Sequence, residues 1–160
     1  HNTDKDTEGL LLITNDGALS HELLAPGKHV WKTYFVRVMG TLGDNEVECL
    51  EKGVDIGEDK LTRPAKVRCL DKKELDMVPE DPGYPGEEES CLELSICEGK
   101  FHQVKRMLAA VGHPELYLKR LSMGGIVLDP GLAPGEYRRL TQEEIAALKC
   151  RSKDIAGKCE

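Results

Sequence analysis

The sequence predicts an α+β fold in which a mixed, largely antiparallel sheet is flanked by helices. Segments with strand patterning outnumber segments with helical spacing of apolar residues. Their connections combine tight turns with helical excursions, a combination typical of mixed sheets. The length of 160 residues suits one domain with a substantial core. Only 4% of the residues are aromatic, so we expect Leu, Val, Ile and Ala to fill that core.

The first half of the chain predicts three strands and two helices. Tyr34, Val36 and Val38 alternate with Phe35 and Arg37, which is the pattern of a strand with two distinct faces. Glycines and capping residues mark the helix ends. In chain order the predicted elements are a strand over 9–14, a short helix over 19–24, a strand over 32–39, a helix between Gly43 and Gly53, and a strand over 65–70.

The second half begins with a long excursion and returns to regular structure. Residues 72–90 are rich in proline, glycine and acidic residues, so we interpret them as a solvated loop or hairpin excursion. Thr141 is the expected cap of the last helix. The predicted elements are a strand over 91–97, a helix over 101–111, short strands over 116–121 and 126–128, and a helix from 141 to about 150.

The charge balance at first argues against a nucleic-acid partner. The chain has 22 basic and 29 acidic residues, a formal net charge of −7. However, residues 74–99 contain nine acidic residues and no basic one, whereas residues 100–120 contain five basic residues and one acidic residue. Because the field at a site depends on the local distribution of charge, we predict a basic face separate from the acidic excursion.

Several classes of protein are excluded or disfavoured. No apolar run approaches the roughly 20 residues of a membrane span, and no signal peptide or lipidation motif is present. No two of the six cysteines are spaced as zinc or redox pairs, so we expect reduced cysteines in a cytoplasmic protein. His102 and His113 have no carboxylate at metal spacing, so no metal is expected. The glycine patterns of nucleotide-binding loops and the Gly-x-Ser-x-Gly nucleophile motif are also absent.

Three segments contain polar residues that a core does not need. Asp4 lies in an acidic loop at the mouth of a predicted buried strand, where a scaffold can present catalytic groups, although a solvated turn has the same composition. Tyr34 faces inward, either as a core residue or as a stacking platform for a planar ligand. In the third segment, Lys105 lies near the buried boundary of a helix. A half-buried base there needs a carboxylate or a phosphate as its partner.

Together these segments resemble the RsuA-type branch of the RNA pseudouridine synthases. Residues 4–17, DKDTEGLLLITNDG, match the family signature from its catalytic aspartate onward, and residues 32–34 match its Lys-x-Tyr strand. Residues 98–107, EGKFHQVKRM, match its Glu-Gly-Lys-x-His-Gln-Val-Lys-Arg-Met motif, and residues 132–141 match its closing Leu-x-Pro-Gly-Glu-Tyr-Arg-x-Leu-Thr motif. The Gly-Arg-Leu that precedes the aspartate in the family is replaced here by residues 1–3, His-Asn-Thr.

The resemblance implies a domain organisation and a reaction. Residues 1–150 are expected to form the catalytic domain and 151–160 a polar tail, with the family's amino-terminal S4-like RNA-binding domain absent from this chain. The expected reaction detaches the uracil of a ribosomal RNA uridine from C1′, rotates it and rejoins it through C5, without a cofactor or metal. The closing run looks most like the small-subunit branch, which implies 16S rRNA. The expected protein is a monomer that acts on ribosomal RNA or a pre-ribosomal particle.

The resemblance also assigns roles to individual residues. Asp4 would be the catalytic carboxylate, either attacking C1′ or removing a sugar proton. Lys105 would pair with Asp4 and keep it ionised. Tyr34 would stack on the flipped uracil and could assist loss of the C5 proton. On charge and position, the candidate phosphate contacts are Lys100, His102, Arg106, Lys119 and Arg120.

Three other functions remain open from the sequence. One is a large-subunit 23S rRNA pseudouridine synthase of the same family. Another is a non-catalytic RNA-binding module with this fold, although such a surface gains nothing from a carboxylate beside its basic cleft. The third is a two-carboxylate glycoside hydrolase using Asp4 and Asp6, but the basic third segment suits RNA phosphates better than neutral sugars.

Overall fold

A computed structural model describes residues 7–13, 30–70, 89–100 and 102–154, with side chains up to residue 148. Within these residues six strands and three helices are formed. They are β1 (Thr7–Gly9), β2 (Lys32–Met39), α1 (Asp44–Lys52), β3 (Lys66–Cys69), β4 (Glu89–Ile96), α2 (Gln103–Ala110), β5 (Glu115–Met123), β6 (Ile126–Val127) and α3 (Gln142–Asp154). No helix among the described residues is long and apolar enough to cross a membrane.

All six strands join one sheet in the order β1-β5-β2-β4-β3, with β6 paired to β5. The β1–β5 pair is parallel, and the other pairs are antiparallel. The two longest ladders join the central β2 to β5 and β4. The predicted α+β fold with a mixed, largely antiparallel sheet is therefore confirmed.

The predicted boundaries agree best for β2 and α1. β2 has the predicted limits, and α1 lies between Gly43 and Gly53 as expected. The last helix extends past its predicted end at 150 to Asp154. Thr141 and Glu144 form its capping box, since each side chain accepts a hydrogen bond from the other residue's backbone N–H, at 2.9 and 3.1 Å. The predicted helix over 19–24 and the excursion up to residue 88 lie outside the described residues.

Two predicted boundaries were wrong for backbone reasons. The first strand ends at Gly9 and does not continue to residue 14, because Gly9 has a φ of +98° that interrupts the ladder. The predicted helix over 101–111 begins at Gln103, because His102 has left-handed backbone angles, φ 49° and ψ 39°. Left-handed angles cannot continue a right-handed helix.

The sheet has a helix-covered face and an opposite face. On the helix-covered face, Val36, Leu94 and Leu118 pack with Leu50 of α1 and Met107 of α2, all almost completely buried. The alternate residues of the same strands occupy the opposite face, where Phe35 and Cys91 are buried and Tyr117 packs against them. The prediction that Tyr34, Val36 and Val38 lie on one face of β2 and Phe35 on the other is confirmed.

The cysteine prediction was wrong at one position. Cys49, Cys69 and Cys91 are free, as expected. Cys97, which is buried directly after β4, is disulfide-bonded.

Gly9→Ala is expected to lower the free energy of unfolding by more than about 2 kcal/mol. A Cβ at Gly9 would lie 2.6 Å from the Arg120 backbone nitrogen and closer still to its carbonyl oxygen, so the β1–β5 pair would have to separate. The left-handed backbone conformation adds about 1–2 kcal/mol to this loss of unfolding free energy, because a residue with a Cβ is strained there. Gly112→Ala is the matched control, because Gly112 has a φ of +84° but no atom within 4 Å of its Cβ position. If urea denaturation shows the same loss of unfolding free energy for Gly9→Ala and Gly112→Ala, the close approach of Gly9 to Arg120 is contradicted.

Candidate active site

Polar side chains converge at the amino end of β2 on the helix-covered face. Lys32 and Tyr34 both lie on this face, and they are 8% and 9% exposed. A bulge between Thr33 and Tyr34 shifts the β2–β5 register, so that Arg120 stands opposite Tyr34. Arg120 is 7% exposed. Two largely buried cations therefore flank Tyr34, which packs in the core on this face of the sheet.

Arg120 connects this cluster of Lys32, Tyr34 and Arg120 to the segment that follows β1. Its Nε donates a hydrogen bond to the Leu10 carbonyl oxygen at 2.7 Å. In return, the Leu10 N–H donates to the Arg120 carbonyl oxygen at 2.8 Å. Because both side chain and backbone hold Leu10, Arg120 fixes the end of β1 relative to Tyr34.

Glu98 organises the loop that leads into α2. Its Oε1 accepts hydrogen bonds from the Arg63 N–H at 2.6 Å and from the Gln103 amide at 2.9 Å. Gln103 in turn accepts a hydrogen bond from the Lys100 N–H at 3.0 Å. The Lys100 ammonium lies 3.9 Å from the other carboxylate oxygen of Glu98. This network fixes where α2 starts, and with it the direction of the side chains in the first turn.

Lys105 extends from α2 towards the start of β5. Its Nζ lies 3.4 Å from Oε1 of Glu115, a largely buried carboxylate. Asp4, the partner that the resemblance implies, lies outside the described residues. Glu115 is therefore a second candidate partner for Lys105, and no motif had pointed to it.

The five candidate phosphate contacts occupy different environments. Lys100 is about one-quarter exposed, and His102 is partly exposed at the start of α2. Arg106 binds Glu58 Oε1 at 3.0 Å and the Ile56 carbonyl oxygen, so it anchors the loop after α1. Lys119 lies on the opposite face and is 1% exposed. A phosphate could reach Lys119 or Arg120 only within a recess, not on an open surface.

Lys32, Glu98 and Gln103 were not among the candidate site residues from the sequence. The sequence did contain a signal for Lys32. Residues two apart in a strand lie on the same face, so a lysine two residues before the inward-facing Tyr34 shares its face. The Lys32 Nζ lies 3.5 Å from the Glu98 carbonyl oxygen. Burial lowers the pKa of Lys32 to about 8, the positive charge of Arg120 adds to this effect, and the charge of Glu98 opposes it.

The lowered pKa of Lys32 predicts a pH-dependent difference in stability between the wild type and Lys32→Met. Between pH 8 and 10.5 the unfolded chain holds the Lys32 proton and the folded chain releases it. The unfolding free energy of the wild type therefore rises with pH in that range relative to Lys32→Met. Urea denaturation at pH 7, 9 and 10.5 measures this difference. A constant difference across the three pH values would show that Lys32 is not desolvated.

The closing motif is held by a hub around Arg138. Its guanidinium donates to Asp129 at 2.8 Å and to both carboxylate oxygens of Glu144 at 2.8 and 3.1 Å. The hydrogen bond from Arg138 is the main cause that lowers the pKa of Glu144 to about 2. The hub ties residues 129–138 to the start of α3 and leaves the neighbouring Tyr137 89% exposed.

Glu89 and the basic residues of α2 lie on different faces of the sheet, although other acidic residues form ion pairs with these bases. Glu89 lies on the opposite face of the sheet, where its carboxylate is 3.5 Å from Arg37. Lys105 and Arg106 belong to α2 on the helix-covered face. Glu87 and Glu88 lie outside the described residues, so the separation of the whole acidic excursion from the basic face stays a prediction. No group of side chains in the described ranges is arranged to hold a metal ion.

Comparisons with known proteins agree with the resemblance found in the sequence. A family model described as RNA pseudouridylate synthase matches residues 1–110. An uncharacterized RNA pseudouridine synthase, YtzG, of Bacillus subtilis is 49% identical over 91% of this chain and 55% of its own length. Ribosomal small subunit pseudouridine synthase A of Escherichia coli is 42% identical over 91% of this chain and 56% of its own length.

A solved structure shows the same fold. It is titled crystal structure of pseudouridylate synthase, has a TM-score of 0.77 and 39% sequence identity, and is matched over 91% of this chain and 56% of its own. This chain thus spans little more than half the length of the relatives it matches. Family match, sequence identity and fold agree, and the chain belongs to the RNA pseudouridylate synthase family.

Proposed function

We propose that this chain isomerises a specific uridine of small-subunit 16S ribosomal RNA to pseudouridine. The observation that carries the proposal is the cluster at the amino end of β2, where the buried cations Lys32 and Arg120 flank Tyr34. The small-subunit target is supported by the name of the Escherichia coli relative, ribosomal small subunit pseudouridine synthase A. In this proposal residues 1–150 form the catalytic domain and act in the cytoplasm.

In this proposal the target base reaches Tyr34 as a flipped nucleotide. A uracil stacked within folded RNA is out of reach, so the enzyme must extrude it into a pocket. Tyr34 is fixed by the surrounding core, so its ring needs no reordering when a base stacks on it. The Tyr34 hydroxyl is then a candidate to assist removal of the C5 proton after the base is reattached.

Asp4 supplies the catalytic carboxylate in this proposal. β1 runs parallel to β5, with Thr7 opposite Leu118. Asp4 precedes Thr7 by three residues in the sequence, and three residues span at most about 11 Å. Glu115, which contacts Lys105, precedes Leu118 by the same three residues. Since parallel strands run in the same direction, this register supports proximity between Asp4 and Lys105.

Lys105 keeps Asp4 ionised in the proposed mechanism. A nearby positive charge favours the charged form of a carboxyl group. Ionised Asp4 either attacks C1′, which releases uracil, or removes a sugar proton, which also weakens the bond to the base. In both routes the uracil rotates and its C5 bonds to C1′, which displaces the Asp4 carboxylate in the first route and is accompanied by return of the sugar proton in the second. The C5 proton then leaves to a base and N1 takes up a proton, so the product is an isomer of the substrate and no cofactor is consumed.

Mapping pseudouridines in a strain that lacks the corresponding gene tests the function and its target together. Carbodiimide treatment followed by primer extension detects each pseudouridine as a stop. We expect the loss of one stop in 16S rRNA, restored by a plasmid copy of the full-length protein. Loss of a 23S rRNA stop instead would replace the small-subunit target with the large-subunit one. An unchanged pattern in both RNAs would contradict the proposed reaction and leave a non-catalytic RNA-binding role.

A further inference from the structure

Glu98 holds the start of α2 from outside the helix. This residue is 9% exposed. Its Oε1 accepts hydrogen bonds from the Arg63 N–H at 2.6 Å and from the Gln103 side-chain amide at 2.9 Å. Hydrogen bonds to an ionised carboxylate are stronger than those between neutral groups. Glu98 therefore connects the segment before β3 to the first residue of α2.

Gln103 passes this constraint to the helix. The residue is 4% exposed, and its amide nitrogen also donates weakly to Met107 Sδ, one turn further on, at 3.6 Å. Its amide oxygen accepts a hydrogen bond from the Lys100 N–H at 3.0 Å. Because both ends of the amide group are bonded, a rotation of α2 about its axis would break these hydrogen bonds.

The start of α2 has little local support of its own. His102, the residue before the helix, has the left-handed angles φ 49° and ψ 39°, which are unfavourable for a residue with a Cβ. In the described structure the His102 side chain makes no capping hydrogen bond to α2, and the first turn contains no acidic residue that would interact favourably with the helix dipole. The contact with Glu98 therefore supplies a constraint that the local sequence does not.

Lys105 belongs to this first turn. It follows Gln103 by two residues, and its Nζ lies 3.4 Å from Oε1 of Glu115 at the start of β5. The position of the ammonium group over the sheet therefore depends on where α2 begins and how the helix is rotated. A displacement of about 1 Å in a catalytic group can lower the rate about 10²-fold.

We propose that Glu98 is a positioning residue for the reaction, which acts through Gln103 to fix the start of α2 and so holds Lys105 in place. The inference rests on the proposed function for the role of Lys105. Glu98 itself exchanges no proton with the RNA and forms no bond to it. Its contribution is the fixed geometry of the helix that carries the lysine.

Glu98→Ala tests this role, with Glu93→Ala as the matched control. Glu93 is a partly buried carboxylate on the opposite face of the sheet, where it pairs with Arg68 at 3.0 Å. We expect Glu98→Ala in the full-length protein to lower kcat for tritium release from 16S rRNA by about 10- to 100-fold, with less than about a threefold change in KM. Glu93→Ala should change neither quantity.

Glu98→Gln separates positioning from charge. Glutamine keeps an oxygen that can accept both hydrogen bonds, but it has no negative charge. If Glu98 acts by positioning, Glu98→Gln should regain most of the kcat that Glu98→Ala loses. Equal losses in the two variants would overturn the proposal, because charge and not position would then control the rate.

A double substitution tests the route through Gln103. The kcat of Glu98→Ala combined with Gln103→Ala should be close to that of the slower single variant, because both substitutions remove the same contact. Losses that multiply would contradict this route. All variants are compared at a temperature at which circular dichroism shows them fully folded. Wild-type kcat for folded Glu98→Ala would show a merely structural role and would overturn the proposal.

Amide hydrogen exchange provides a test that does not depend on the RNA reaction. At the start of α2 the Arg106 N–H donates to the His102 carbonyl oxygen at 3.0 Å, and at the start of α1 the Val47 N–H donates to the Gly43 carbonyl oxygen at 3.1 Å. We expect Glu98→Ala to speed exchange at Arg106 by about tenfold or more and to leave Val47 unchanged, because only the start of α2 loses its anchor.

The exchange result distinguishes the failure of this inference from the failure of the proposed function. If the wild type lacks synthase activity but Glu98→Ala still speeds exchange at Arg106, the proposed function fails while the anchoring of α2 by Glu98 stands. If exchange at Arg106 is the same in Glu98→Ala and the wild type, Glu98 does not anchor α2, even in an active enzyme.

Discussion

Asp4→Asn is expected to reduce pseudouridine formation by at least about 10³-fold, the largest effect of any single substitution in this chain. Asparagine has nearly the same shape as aspartate but no negative charge. It can therefore neither attack C1′ nor accept a sugar proton. Tritium release from rRNA labelled at C5 of uridine measures the loss, and a filter-binding measurement should show RNA affinity close to that of the wild type.

Asp59→Asn is the control for the Asp4 prediction. Asp59 is exposed in the loop after α1, and its substitution removes one negative charge of the same type. Wild-type tritium release by Asp4→Asn would exclude Asp4 as the catalytic group. A parallel loss in Asp59→Asn would show that the net charge, and not the position of the carboxylate, controls activity.

Lys105→Met is expected to reduce kcat by about two orders of magnitude and to move the acidic limb of the pH–rate profile to higher pH. The ammonium group of Lys105 favours the ionised form of a neighbouring carboxyl group. Without it, Asp4 holds its proton to a higher pH, so a smaller fraction of the enzyme is active at neutral pH. Lys105→Arg retains the charge and should restore the wild-type pH profile.

Glu115→Gln distinguishes the two candidate partners of Lys105. Glu115 contacts Lys105 at 3.4 Å in the described structure. If Lys105 acts mainly through Asp4, Glu115→Gln should leave the pH–rate profile closer to that of the wild type than Lys105→Met does. Two results together would show that Lys105 has only a structural role as the partner of Glu115. Glu115→Gln would lower kcat as much as Lys105→Met does, and Lys105→Met would leave the acidic limb of the pH–rate profile where it is in the wild type.

Local sequence patterns predicted the elements whose faces are set by neighbouring residues. The alternation through Tyr34, Val36 and Val38 predicted β2 with its observed limits, because both faces of this strand are packed. Glycines on either side of α1 marked both of its ends. These signals are short-range, so they can be detected without knowledge of the fold.

Features that depend on distant partners were not predictable in the same way. β1 pairs in parallel with β5, so the backbone of Gly9 lies against Arg120, a residue more than 100 positions later. Glu98 binds the Arg63 N–H across 35 residues, and no local pattern announces such a contact. The bulge that sets Arg120 opposite Tyr34 is likewise a property of the β2–β5 pair.

In the candidate site too, the types of residue could be predicted from the sequence, whereas their burial depends on the fold. The motifs identified the residue types, and Tyr34 does lie between basic residues, Lys32 and Arg120. Charge and position alone did not distinguish partly exposed Lys100 from buried Lys119, because their burial is set by strand register and by packing between elements. The position of Lys32 on the face of Tyr34 follows from the strand pattern, but its burial was found only in the structure.

Tritium release from 16S rRNA by the full-length protein tests the central claim most directly. The RNA carries tritium at C5 of uridine, and each conversion to pseudouridine releases that atom to water. The proposed reaction predicts release to a plateau from 16S rRNA, without added cofactor or metal, together with one new carbodiimide stop at a single uridine. Absence of release from any ribosomal RNA, by full-length protein that binds that RNA, would contradict it.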